Sequence, residues 1–212
     1  MTSIAVIDYG MGNLRSVSKA IEHVAPGTVV QVTSDPGVLL AADRVVFPGQ
    51  GAMRDCMREL DARGLRPALA KAAATKPFLG ICLGLQMLFE HSEEGGGVDG
   101  LSLLPGRVKR FPAAAMRDAA GEKLKVPHMG WNEVQQATHS MWNGIENGSR
   151  FYFVHSYYVE TSEPALVTGQ TNYAFPFTCA VGRDNIFAIQ FHPEKSHKAG
   201  LRLLSNFVSW NP

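Results

Sequence analysis

The chain is 212 residues long, which fits one domain of above-average size with room for a sizeable core. A formal net charge of +1 with 18% charged and 45% hydrophobic residues leaves no strong field to attract nucleic acid or an anionic membrane. Three scattered cysteines, Cys56, Cys82 and Cys179, fit a reducing cytoplasm rather than a disulfide framework, and no apolar run approaches the length of a membrane span.

Roughly the first 90 residues alternate strand and helix. Residues 4–7 read as a strand that meets Asp8 at once, unlike a secretory signal. A helical pattern covers 14–24, strands follow at 29–33 and 44–47, and helical patterns cover 53–63 and 65–74. The apolar run 76–81 predicts a strand and 83–91 a helix. Strands alternating with helices in this way imply βαβ units and a parallel sheet. The chain then changes character. Runs at 107–111, 124–126, 150–159, 165–170, 178–182 and 186–190 predict successive strands, the last two joined by the turn residues 182–185 as a hairpin. The Gly-rich stretch 93–97 and the Ala-rich stretch 112–120 read as loops, the second as a mobile one, and an amphipathic helix covers 200–210. The expected fold is a single α/β domain over residues 1–212. Its central sheet is mixed and largely parallel, flanked by helices and carrying an antiparallel β extension.

Cys82 stands at the centre of Gly80-Ile81-Cys82-Leu83-Gly84, where a buried strand turns sharply into a helix. This is the setting of a nucleophile elbow with Cys in place of Ser, and a helix starting there favours thiolate over thiol. A cysteine packed in a Gly-rich turn is the competing reading. A base is available far along the chain, where the apolar strand 186–191 runs into His192-Pro193-Glu194. Residues two apart on extended chain share a face, so Glu194 can orient His192 towards a thiol. The strand ending at Phe47 meets Pro48-Gly49-Gln50-Gly51, a loop able to offer a backbone N–H that joins the Leu83 amide in an oxyanion hole. Gly49-x-Gly51 and Gly10-x-Gly12 lack the third glycine of a dinucleotide fingerprint, having Arg54 and Arg15 there. His192 and His197 match no metal-ligand spacing, so neither metal nor cofactor is expected.

Together these segments, with Gln190-Phe191-His192-Pro193-Glu194 as the last of them, resemble the class I, or triad, glutamine amidotransferase family, in the family's order and at its usual distances. The resemblance covers essentially the whole chain. Asp8-Tyr9-Gly10-Met11-Gly12-Asn13-Leu14, Pro127-His128-Met129-Gly130-Trp131-Asn132, the run 151–157, Glu93-Glu94-Gly95 and Pro193-Glu194-Lys195-Ser196 are similar to the glutaminase subunits of imidazole glycerol phosphate synthase. The resemblance implies hydrolysis of L-glutamine to glutamate and ammonia by Cys82, His192 and Glu194. It implies delivery of the ammonia to a (β/α)8-barrel synthase subunit in a heterodimer that serves histidine biosynthesis. By position it implies an oxyanion hole at Leu83 and Gly51, and substrate contacts at Gly51, Leu83, Gln86, Glu94, Ser156 and Tyr157. It places Asn13, Met129, Trp131, Asn132 and Lys195 at the partner's side of the mouth. His155 adjoins two substrate contacts, but a histidine inside an aromatic strand is more often structural. Many family members have a small apolar residue where this chain has Gln50, which suggests that the peptide around Gly49-Gln50 reorients in the active complex. A sister glutaminase for another synthase, a cysteine peptidase, a catalytically dead regulatory module and a nucleotide-binding protein are the alternatives.

Overall fold

Alternation of short apolar runs with amphipathic segments builds the first half of the molecule. In the computed structural model, which describes residues 2–118 and 120–212, this half comprises β1 (Ser3–Ile7), α1 (Leu14–Val24), β2 (Val29–Thr33), α2 (Pro36–Ala41), β3 (Arg44–Gly49), α3 (Met53–Ala62), α4 (Arg66–Thr75), β4 (Phe78–Cys82) and α5 (Leu83–Gln86). The second half is mostly strand: β5 (His91–Ser92), β6 (Val98–Asp99), β7 (Gly106–Arg110), β8 (His128–Glu133), β9 (Gln135–Gln136), β10 (Arg150–His155), β11 (Tyr157–Thr161), β12 (Val167–Tyr173), β13 (Phe175–Arg183) and β14 (Ile186–Ile189). It closes with α6 (His197–Ser209).

The main sheet runs β2-β1-β3-β4-β14-β13-β11-β7-β5-β6, with β12 pairing β13 and β9. From β2 to β14 every pairing is parallel, and the β14–β13 hairpin begins the antiparallel extension. Both faces of the parallel half are covered, as the alternation along β1 shows. Ile4 and Val6 enter one apolar cluster with Ile21 and Leu203, while Ala5 and Ile7 enter the other with Leu60 and Leu69. Strands β8 and β10 form a separate antiparallel ribbon. Among the described residues no helix is long and apolar enough to cross a membrane.

Several expectations need correction. The helix over 83–91 stops at Gln86. Leu85, Met87, Leu88 and Phe89 are all buried, so their pattern cannot distinguish a helix from a buried irregular run, and the carbonyls of Met87, Leu88 and Phe89 accept from residues 101–104 instead. The run 150–159 breaks at Ser156, with β10 joining the ribbon and β11 pairing β7 in the main sheet. No strand forms at 124–126; the strand starts at His128, where the only apolar alternation is the short pair Met129 and Trp131, and these two face outward. Helix α2 is not among the expected elements, although Asp35 caps it by accepting from the N–H groups of Gly37 (2.6 Å) and Val38 (3.4 Å). Helix α6 begins three residues before the expected start, at His197. In the Ala-rich stretch 112–120, Ala119 lies outside the described residues.

Candidate active site

Strands β3, β4 and β14 are neighbours, so their C-terminal ends bring three distant segments together. Gly49 is in register with Cys82 on one side, and Ile189 with Ile81 on the other. Clefts of open parallel sheets form at such carboxyl ends. Cys82 has φ 57° and ψ −113°, a strained conformation for a residue with a side chain, and is 8% exposed. The strain therefore falls on the cysteine itself, and the flanking glycines serve a different purpose. A Cβ on Gly84 would lie 1.9 Å from the Phe47 carbonyl oxygen, so only glycine lets α5 approach β3. With α5 a single turn long, the field at the sulfur comes from the unpaired N–H groups of that turn and not from an extended helix dipole.

His192 follows β14 and is 2% exposed. Its backbone N–H donates to the Tyr152 carbonyl (2.9 Å), tying it to β10, and the Ser196 hydroxyl donates to its carbonyl (2.6 Å). Pro193–Lys195 form a 3-10 turn, so Glu194 reaches His192 around a turn and not along extended chain as expected. His192 Nδ1 lies 3.0 Å from Glu194 Oε1. The same carboxylate oxygen accepts from Asn13 Nδ2 at 3.3 Å. Asn13 precedes α1 but does not cap it, because its amide is directed to Glu194. Buried His192 Nε2 has no hydrogen-bond partner among the described residues. Burial works against a charged His192, but the negative charges available on Cys82 and Glu194 outweigh it and hold the imidazole well above the ordinary histidine range.

A cleft of about 390 Å³ opens over these groups. Gly51, Leu83, Gln86, Glu94, Ser156 and Tyr157, all implied as substrate contacts, line it together with Cys82 and His192. Ser156 is the break between β10 and β11, so the split of the predicted strand puts two contacts at the cleft. Glu94 has a second attachment: its Oε2 accepts from the N–H of Met53, the first residue of α3, at 2.9 Å. The end of β3 and the loop after it are both held by side chains. The Tyr9 hydroxyl donates to the Pro48 carbonyl (2.8 Å) and the Cys56 thiol to the Gln50 carbonyl (3.4 Å). Burial pushes the Cys56 thiol up to about 11, so it keeps the proton it donates. In a trans peptide the N–H opposes the C=O, so with the Gln50 carbonyl on Cys56 the Gly51 N–H points away from α3. Gly51 has φ +98°, a conformation that favours glycine.

Three features go beyond the sequence expectations. Gln190 ends the predicted strand 186–190 with no expected role, yet it is fully buried and its Nε2 lies 3.7 Å from the Cys82 sulfur. A fully buried amide next to an apolar strand must find partners, which is the signal the sequence offers. Asn13, expected at the partner's side, touches the carboxylate of Glu194. The third is a chain of hydrogen bonds through His155 and His128. His155 Nδ1 lies 2.7 Å from the Tyr157 carbonyl, His155 Nε2 2.9 Å from His128 Nδ1, and His128 Nε2 3.3 Å from Asn132 Nδ2. A carbonyl only accepts, so His155 Nδ1 carries hydrogen, His128 Nδ1 donates to His155 Nε2, and Asn132 donates to His128 Nε2. Burial pulls His128 down to about 4 and His155 to about 3, so both are neutral. Beside this chain, Met129 and Trp131 are 62% and 43% exposed; Lys195 is exposed above the Tyr152 ring, 6.0 Å from its centroid. Trp131 stacks on His197 at 4.9 Å.

Comparison with known proteins bears on the family and the fold. The model of the family described as "Glutamine amidotransferase class-I" matches residues 5–210. The protein named "Imidazole glycerol phosphate synthase subunit HisH" of Dechloromonas aromatica is 70% identical over 210 residues, covering 99% of this chain and 97% of that one. The protein of the same name from Nitrosospira multiformis is 67% identical over 213 residues, covering 100% of both chains. Among solved structures, a glutamine amidotransferase has a TM-score of 0.71 at 14% identity, covering 97% of this chain and 99% of that one. PurLQS of Thermotoga maritima gives 0.66 at 17%, covering 98% of each. These two likenesses speak to the fold alone. Together with the matched family model, the HisH relatives place this chain in the class I glutamine amidotransferase family, among the imidazole glycerol phosphate synthase subunits named HisH.

Proposed function

We propose that Cys82, His192 and Glu194 form the catalytic triad with which this glutamine amidotransferase subunit hydrolyses L-glutamine for histidine biosynthesis. The observation that carries the proposal is the meeting of a strained Cys82 with the Glu194-oriented His192 at one cleft. The Cys82 thiolate attacks the side-chain carboxamide carbon of glutamine, and negative charge develops on the carbonyl oxygen. The N–H groups of Leu83 and Gly51 stabilise that charge. His192 gives its proton to the departing nitrogen, the C–N bond breaks, and ammonia leaves a glutamyl thioester on Cys82. Water then attacks the thioester carbon, with His192 accepting its proton, and glutamate and the free thiol are released. Glu194 holds His192 in orientation throughout, and Asn13 holds Glu194. Gln86, Glu94, Ser156 and Tyr157 bind the glutamine, with Glu94 facing its ammonium. The reaction uses no metal or cofactor.

The ammonia passes to a (β/α)8-barrel synthase subunit, with which the chain, acting as one unit over residues 1–212, forms a cytoplasmic heterodimer. Neither nucleic acid nor membrane takes part. Exposed Met129 and Trp131 support a docking face there, with Asn13, Asn132 and Lys195 beside it. Gln50 lies in the loop whose Gly49–Gln50 peptide reorients when the complex becomes active. In assays of the heterodimer at limiting subunit concentration, Trp131→Ala lowers glutamine-dependent synthesis roughly tenfold, as for an anchoring aromatic residue, and leaves ammonia-driven synthesis largely intact. Equal loss with both nitrogen sources contradicts the docking role. Absence of glutamate release from glutamine by the wild-type heterodimer contradicts the function itself.

A further inference from the structure

Gln190 is the first residue beyond β14, is fully buried, and is fixed at its backbone by donation of its N–H to the Cys179 carbonyl at 2.8 Å. Its side chain lies between two groups that the proposed reaction uses. Gln86 Nε2 donates to Gln190 Oε1 at 2.8 Å, and Gln190 Nε2 lies 3.7 Å from the Cys82 sulfur. The amide orientations follow from the far end of this chain. Gln86 Nε2 also donates to the Tyr157 carbonyl at 3.0 Å, and a carbonyl has no hydrogen to give. The amino end of Gln86 must therefore face Tyr157, its second hydrogen goes to Gln190 Oε1, and the amino end of Gln190 is left facing the sulfur. Turning Gln190 over would set two amino groups against each other and put a carbonyl oxygen against Cys82.

We propose that Gln190 is a further catalytic residue of the glutaminase site: its carboxamide N–H donates to the Cys82 sulfur and favours the thiolate, and Gln86 is the positioning residue that keeps it in the donating orientation. This rests on the assignment of Cys82 as nucleophile. A thiolate is the stronger acceptor because hydrogen bonds to an ionised partner are the stronger ones. Gln86 thereby acts at both ends of the chemistry. Its amino group is fully committed to Tyr157 and Gln190, so Oε1 is the atom left to receive a donor from a ligand in the cleft that Gln86 lines. A substrate that engages Oε1 stiffens the orientation of Gln190 and couples filling of the cleft to the state of the sulfur.

The test is the pH profile of Cys82 alkylation by iodoacetamide in the full-length chain, with Cys82→Ala supplying the background from Cys56 and Cys179. Gln190→Met keeps the approximate shape and removes the donor. Its alkylation midpoint moves up by about one pH unit, the size expected for losing a hydrogen bond to a charged group. In the heterodimer the kcat for glutamate release falls roughly tenfold on the same basis, with KM for glutamine nearly unchanged. Gln190→Glu is closer in shape and places an acceptor against the sulfur; it moves the midpoint further, and it carries the test if the Met variant does not fold. Gln86→Met moves it in the same direction by less. An unchanged midpoint in a folded Gln190 variant, or a raised KM with unchanged kcat, overturns the proposal and makes Gln190 a wall of the pocket. A wild-type chain that alkylates normally but whose heterodimer with the synthase subunit releases no glutamate sinks the glutaminase assignment while leaving the donation to Cys82 standing.

Discussion

Two buried histidines line this cleft, one beyond the parallel half of the main sheet and one on the separate antiparallel ribbon, and they are poised in opposite directions. His192, at the end of the parallel half, is held well above the ordinary histidine range. His155, on the antiparallel ribbon and hydrogen-bonded to His128, is pulled far below it. Burial is similar, at 2% and 6% exposure, so burial does not decide the outcome. The partners do. His192 has a carboxylate on Nδ1 and a sulfur able to carry negative charge near Nε2, whereas His155 has a carbonyl and a second neutral imidazole. An imidazole held towards its charged form and one held neutral thus sit at the same cleft, built from the same residue type.

The largest expected effect comes from disturbing the close approach that positions the charged site. Gly84→Ala places a Cβ against the Phe47 carbonyl, and separating α5 from β3 costs about 3 kcal/mol. Thermal unfolding then drops by about 6–12 °C, and glutaminase activity is lost because the Leu83 amide moves with α5. Gly27→Ala is the control: the position has φ +95° and open space around it, so it costs about 1 kcal/mol and leaves activity intact. Equal effects from the two changes would break the link between glycine packing and the elbow.

A smaller effect separates the two histidine sites by pH. Unfolded His128 and His155 protonate as pH falls through the ordinary value of 6.5, whereas in the folded chain they hold out to about 4 and about 3. The unfolded state therefore binds more protons in that window. The stability these groups contribute is complete above about pH 6.5 and is lost as pH falls towards 4, at up to about 1.4 kcal/mol per pH unit for each group. Thermal unfolding should fall between pH 7 and pH 5, and His128→Gln should shallow that slope. A wild-type midpoint independent of pH across this range would show that the pair takes up protons in the folded state just as it does unfolded.

How much of the molecule is legible in the sequence follows the same division. Apart from the short helix α2 and the length of α5, the parallel half reads directly, because its strands are short apolar runs and its longer helices repeat apolar residues at helical spacing: α1 and β2 fall where the periodicity puts them. Cys82 and His192 are visible because each ends such a strand. The antiparallel half resists for physical reasons. The ribbon strand β8 alternates over only Met129 and Trp131, with its apolar side chains turned outward, and the continuous aromatic run at 150–159 conceals a change of sheet at Ser156. The link between Asn13 and Glu194 spans 181 positions and has no local signature. Gln190 stands two residues before His192 in plain view, but its role depends on an amide orientation that only the Tyr157 carbonyl fixes.

The proposed reaction turns on cleavage of glutamine through a covalent bond to Cys82. The most direct test is intact-mass and peptide mass spectrometry of the wild-type protein, acid-quenched during turnover of glutamine in the presence of the synthase partner. One glutamyl group on the peptide containing Cys82, absent from Cys82→Ala along with all glutamate release, is the predicted result. Turnover that survives Cys82→Ala, or a glutamyl adduct located on Cys56 or Cys179, would contradict it.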